Sequence, residues 1–98
     1  MPQLQVIAHH HIAAGEDLEE IFALYARLTE ASRAEPGNVS FEVYRQVGAE
    51  RSVVILERYA SAEAFAEHQQ TPHFTGLLLG QLVPRLDKRW REAYDVAD

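Results

Sequence analysis

Hydrophobic positions along this chain change period repeatedly, and each change marks a new element. Leu4 to Ile12 is a short apolar stretch that ends near Gly15 and reads as a strand. In extended geometry Leu4, Val6, Ala8, His10 and Ile12 share one face, while Gln5, Ile7, His9 and His11 share the other. From Glu16 to about Arg33, Leu18, Ile21, Phe22, Tyr25 and Leu28 follow the i, i+3, i+4, i+7 pattern of an amphipathic helix, continued by Thr29 and Ser32. Glu16, Asp17, Glu19 and Glu20 crowd its first turns, where negative charge complements the helix dipole. Glu35-Pro36-Gly37-Asn38 then breaks the chain. Beyond it, Val39, Phe41 and Val43 alternate with Ser40, Glu42 and Tyr44 in a strand running to Val47. The polar turn Gly48 to Arg51 joins it to a third strand, Val53 to Tyr59, as an antiparallel hairpin.

Ser61 suits the N-cap of a second helix, with Ala62, Phe65, Ala66 and Gln69 facing inward and Pro72 stopping it. Thr71-Pro72 in turn suits the start of a third helix carrying Phe74, Leu77, Leu78 and Leu82 inward, which Pro84 ends. Leu86, Lys88, Trp90, Glu92 and Tyr94 then alternate with Asp87, Arg89, Arg91 and Ala93 as a last strand. The order β-α-β-β-α-β predicts an α+β, ferredoxin-like domain over residues 1–98, an antiparallel sheet with helices on one face. Its other face is then bare. Val54 and Leu56 fall on that side and Val53 and Ile55 under the helices, so a homodimer through the sheet faces is expected.

Composition narrows the chemistry. The chain has 98 residues, 47% apolar and 24% charged, within ordinary globular usage. It has no cysteine, which removes disulfides, thiolate nucleophiles and cysteine-based metal sites. A net charge of -6 argues against a nucleic-acid partner, and no apolar run approaches a membrane span. The N-terminus lacks a basic region followed by an apolar one, so a cytoplasmic location is expected.

Two segments carry a resemblance: Glu35-Pro-Gly-Asn-Val-Ser-Phe-Glu-Val-Tyr-Arg45, and the longer run from Glu57-Arg-Tyr59 to His68-Gln-Gln-Thr-Pro-His73-Phe74. With the first strand and helix in the expected order, the chain resembles the antibiotic biosynthesis monooxygenase family. The resemblance implies a dimeric α+β barrel. Heme-degrading members align a strand-1 Asn, a helix-2 Trp and a heme-ligating His with His10, His68 and Leu78 here, so the heme ligand is missing. The His-x-x-Thr-Pro-His form is closer to the quinol monooxygenase and signal isomerase branches. The resemblance thus implies a cofactor-independent monooxygenase that oxidises a small electron-rich aromatic, quinol or anthrone-like, with molecular oxygen. Two alternatives stand beside it: an isomerase of a small phosphorylated carbonyl compound, and a non-catalytic metabolite-binding dimer.

Histidine suits the base that such a reaction needs, because its ordinary pKa lies near working pH. His68 and His73 flank the Pro-bounded corner and form the leading pair, with helix caps or corner locks as their structural alternatives. The first turn of the third helix is expected to add free N–H donors for an oxyanion. His10 lies on the inward strand face and needs a hydrogen-bond partner or a ligand. Tyr25, Phe65, Phe74 and Trp90 are candidates to line an aromatic-sized cavity. Glu57, also on an inward face, must be paired or partly wet, and a structural hydrogen bond to a backbone group or to the partner subunit is expected for it. Arg85, Lys88, Arg89 and Arg91 form a basic cluster that reads as a solvated strand or an anion clamp. His9 and His11 supply only two nitrogens with no acid at matching spacing, so no metal site is expected.

Overall fold

The computed structural model describes residues 2–97. Four strands, β1 (Gln3–Ile12), β2 (Asn38–Gln46), β3 (Ala49–Tyr59) and β4 (Leu86–Val96), form one antiparallel sheet in the order β2-β3-β1-β4. Three helices, α1 (Leu18–Arg33), α2 (Ala62–His68) and α3 (His73–Leu82), cover one face of it. A 3₁₀ turn, Val83–Arg85, leads into β4.

The expected strand alternation decides which face is covered. Val6, Ala8, His10 and Ile12 of β1, and Val53, Ile55, Glu57 and Tyr59 of β3, are buried under the helices. Val54 and Leu56 turn the other way, as the alternation requires. α1 presses Ile21, Leu24, Tyr25 and Leu28 onto this face. Asp17 caps it by accepting from the Glu20 N–H at 3.1 Å, so the acidic start serves the helix end.

The sheet is open. β2 and β4 are its two edges, and it does not close into a barrel, contrary to what the family resemblance implied. Four strands are far fewer than the roughly eight that enclose an interior side chains can fill. The apolar side of this sheet is instead filled by helices, which leaves nothing to drive closure.

Three local details also differ from the sequence pattern. The hairpin turn is only Val47-Gly48, with Gly48 at φ +82°, so β3 begins at Ala49 rather than Val53. An irregularity between Asn38 and Ser40 throws Val39 out to half exposure while Phe41 stays buried. α2 turns Ala64, Phe65 and His68 inward and leaves Ala62 and Ala66 exposed. Close packing explains that orientation: a Cβ on Gly37 would stand 2.5 Å from the Ala64 Cβ. The α2 helix thereby rests directly on the backbone of the loop that carries Glu35.

α3 is wound as a π-helix over ten residues. Bonding from i to i+5 aligns residues four to five apart, which gathers His73, Leu78 and Phe74 on one side with Leu77 and Leu82 continuing the buried stripe. Gly76 and Gly80 lie on its exposed side together with Thr75, Leu79 and Gln81.

Candidate active site

Under the helices, beside the β4 edge, lies a cavity of about 260 Å³. Its floor is Val6, Ala8, His10, Ile55 and Glu57 from the sheet, and its walls include Phe65, His68, Phe74 and Leu78 from the helices. Arg89, Trp90 and Arg91 form the rim. A space of this size suits one aromatic ring.

His68 ends α2 and is 2% exposed. Four aromatic rings surround it, with Tyr59 and Phe74 at 5.2 Å, Phe65 at 6.0 Å and Phe41 at 6.2 Å between centroids. Its Nδ1 is 2.7 Å from Glu35 Oε2, and His73 Nε2 reaches the same oxygen at 2.5 Å. An ionised carboxylate only accepts, so both imidazoles donate to Glu35. That contact fixes the proton of His68 on Nδ1 and leaves the Nε2 lone pair free. Nε2 stands 3.6 Å from Glu57 Oε1, beyond a good hydrogen bond. Burial lowers the pKa of His68 against the opposing pull of Glu35, which favours the neutral imidazole.

Glu57 supplies a second titratable group. Its Oε1 accepts from the Tyr59 hydroxyl at 2.7 Å, a side-chain donor of the same strand rather than the backbone or partner-subunit group expected. Burial nevertheless raises its pKa to about 7, against the stabilising effects of Tyr59 and Arg91. A neutral base and a carboxyl group near its titration point therefore face each other across one end of the cavity.

His10 also faces the cavity, with Nδ1 2.7 Å from the Tyr25 hydroxyl. Burial, with the nearby Arg89 charge, lowers its pKa to about 4. Tyr25 itself is 2% exposed and stands behind His10, outside the cavity lining, and burial raises its phenol pKa. Phe65 and Phe74 do line the cavity, whereas Trp90 borders it only by its place on β4 and turns its ring to the other face, stacked on His9. Two of the N–H donors expected to be free at the start of α3 are engaged: Phe74 N–H donates to Thr71 Oγ1 and Thr75 N–H to Thr71 O.

The Glu35 and Glu57 carboxylates are the groups the sequence pattern undervalued as site residues. Each opens one of the two segments that carry the family resemblance. Glu35 read as part of a chain break, and Glu57 stood at an inward strand position where a carboxylate needs a reason. Glu35, His68 and His73 place one ligand atom each within 4.8 Å of one another, a grouping that could hold a metal ion. On the opposite face His9 and His11 do meet acids, Glu92 and Asp87, but across the β1–β4 pair and one acid each.

Comparison with known proteins agrees with this fold and these segments. Residues 5–77 match the model of the family described as "Antibiotic biosynthesis monooxygenase". A protein of Bacillus subtilis (strain 168) named "Putative monooxygenase YcnE" is 35% identical over 63 residues, 64% of this chain. That match spans 66% of the relative's length, just under two thirds. Among solved structures, Rv0793 from Mycobacterium tuberculosis superposes with a TM-score of 0.86 at 25% identity, covering 98% of this chain and 96% of that one. A conserved protein from Methanosarcina mazei Go1 gives 0.89 at 23% identity, covering 98% and 94%, a likeness of fold. No helix among the described residues is long and apolar enough to cross a membrane. The chain belongs to the antibiotic biosynthesis monooxygenase family, which links it to the monooxygenase class of oxidoreductases.

Proposed function

We propose that this protein is a monooxygenase that oxidises a small, electron-rich, one-ring phenol or quinol with molecular oxygen, using His68 as the general base. The observation that carries this reading is the Glu35–His68 pair: a buried imidazole with its proton fixed on Nδ1 and its free Nε2 beside an aromatic-sized cavity. Removing the hydroxyl proton makes the ring a stronger electron donor, so the substrate itself reduces oxygen. The chain then needs to supply only a base and a site from which water is excluded. Phe65, Phe74 and Leu78 supply the apolar walls, and His73 holds Glu35 from the other side. One oxygen atom enters the ring and the other leaves as water, the substrate supplying all four electrons, and Glu57, able to give or take a proton near pH 7, protonates the departing oxygen.

A second reading has one observation in its favour. A base and a carboxyl group facing one cavity also suit proton shuttling in an isomerase. Oxygen uptake separates them. With a panel of hydroquinones in an oxygen electrode, the protein is expected to consume oxygen in proportion to substrate oxidised. Substrate conversion without oxygen uptake would replace the oxygenase reading with the isomerase, and binding without conversion would leave a metabolite-binding protein.

The uncovered sheet face supports a homodimer. Ile7, Val54 and Leu56 form its apolar centre, with Tyr44, Trp90 and Tyr94 about half exposed around them. A second copy of the same face would remove these groups from water.

A further inference from the structure

At the mouth of the cavity two guanidinium groups form no ion pair among the described residues. Arg89 and Arg91 lie two residues apart on β4, on the side of the sheet that faces the helices, opposite His10 and Ala8. Same-face neighbours on a strand are about 7 Å apart, so the two forks can converge on one small anion. The chain carries fifteen acids against nine bases, yet among the described residues neither arginine forms an ion pair. The acids of β4 do not serve them: Glu92 bonds His9 and Asp87 bonds His11 on the opposite face.

Each arginine is also placed to serve the cavity. The Arg91 guanidinium carbon sits 5.2 Å from the centre of the Phe65 ring, a wall of the site, which holds the fork beside the opening. Opposite it, Ala8 offers only a methyl group, which keeps the floor between rim and interior open. The cavity therefore has two polar ends, His68 with Glu57 inside and Arg89 with Arg91 at the rim. Ile55, Phe65, Phe74 and Leu78 lie among its apolar walls. A ring that filled it with a hydroxyl inward would direct the substituent across the ring toward the arginines.

We infer that the substrate is a one-ring hydroxylated aromatic carboxylate, its acid group held by Arg89 and Arg91 while its hydroxyl faces His68. Arginine suits this task because its planar fork matches a carboxylate with two parallel hydrogen bonds. The inference rests on the proposed phenol site for the inner end of the ligand only, and binding can be measured apart from turnover.

The test is anaerobic calorimetry at low salt with phenol and 4-hydroxybenzoate, which differ by a carboxylate directly across the ring from the hydroxyl. The wild-type protein is expected to favour the carboxylate by about 10-fold or more, the effect of one good charge-assisted contact. In the double variant Arg89→Gln/Arg91→Gln that ratio should fall to about one. Arg58→Gln, which removes a positive charge from the opposite sheet face, should keep it. If the double variant does not fold, each single variant is expected to lower the ratio about threefold. No preference in the wild type, or an unchanged preference in the folded arginine variants, would overturn the clamp. A preference that follows the arginines in a protein that consumes no oxygen keeps the clamp and removes the oxygenase reading.

Discussion

Three consecutive histidines of β1 meet two different environments, because the strand points alternate residues to opposite faces. His10 lies under the helices, 5% exposed, bonded to Tyr25 and with its pKa lowered to about 4 by burial. His9 and His11 lie on the uncovered face, where each is bonded to an acid of β4 and His9 stacks on Trp90 at 4.7 Å. The covered face makes titration costly and so creates shifted groups. The open face pairs its charges in water, where such pairs contribute little. The proposed chemistry uses the first face, and the proposed association the second.

The largest expected effect on the covered face comes from Glu57. Its pKa is raised from an ordinary 4.5 to about 7, so its contribution to stability is full below 4.5 and is lost as pH rises through 7. By pH 8 the loss is about 3 kcal/mol, from about 1.4 kcal/mol per pKa unit. Glu57→Gln keeps the acceptor for the Tyr59 hydroxyl and removes the charge. Denaturant titrations at pH 5 and pH 8 should show the wild type losing stability relative to this variant by about that amount. Equal pH dependence in both would mean that Glu57 is solvated. His10 acts in the opposite direction: with a pKa lowered from 6.5 to about 4, it contributes stability above 6.5 that is lost as pH falls through 4.

On the open face the largest effect concerns association. Leu56→Asp places a charge at the apolar centre of that face without touching the helix-side core. Light scattering should show a dimer for the wild type and a dissociation constant raised about 100-fold or more in the variant, a change of about 2.7 kcal/mol. A wild-type monomer at micromolar concentration would remove the dimer and leave the exposed aromatics without a role. The smallest effect is His9→Ala, which deletes an exposed pair with Glu92 and a ring stack. A loss of less than about 1 kcal/mol in the monomer unfolding free energy is expected. A larger loss would show that the two faces differ less than their burial suggests.

The same contrast explains what could be read from the residues alone. Alternation in β1 and β3 and the stripe of α1 are set by burial on one side, so their positions and faces were legible from period alone. The barrel was not a reading of period at all; it came with the family resemblance, and the open order β2-β3-β1-β4 corrects it. The inward set of α2 was misjudged because a seven-residue helix holds too few turns to show a stripe, and its rotation is set by the close approach of Ala64 to Gly37. The π winding of α3 had no signal in a run of leucines and glycines. In the site, His68 and His73 stood out by residue type and by their Pro-bounded spacing. Glu35, 33 residues before His68, becomes its partner only through tertiary packing. Tyr25 was legible as an inward aromatic, but which side of His10 it takes depends on how α1 lies on the sheet.

The central claim is that the covered face holds His68 as a base, and its most direct test pairs two measurements on His68→Gln. The account predicts a fall in kcat/KM of about 100-fold or more toward the best quinol of the panel, the low range for loss of a general base. It also predicts loss of the limb by which wild-type activity rises with pH below 6.5, since burial lowers the His68 pKa and activity requires its neutral form. The variant's melting temperature provides the control for folding. A folded His68→Gln protein with wild-type kcat/KM and an unchanged pH profile would contradict the claim.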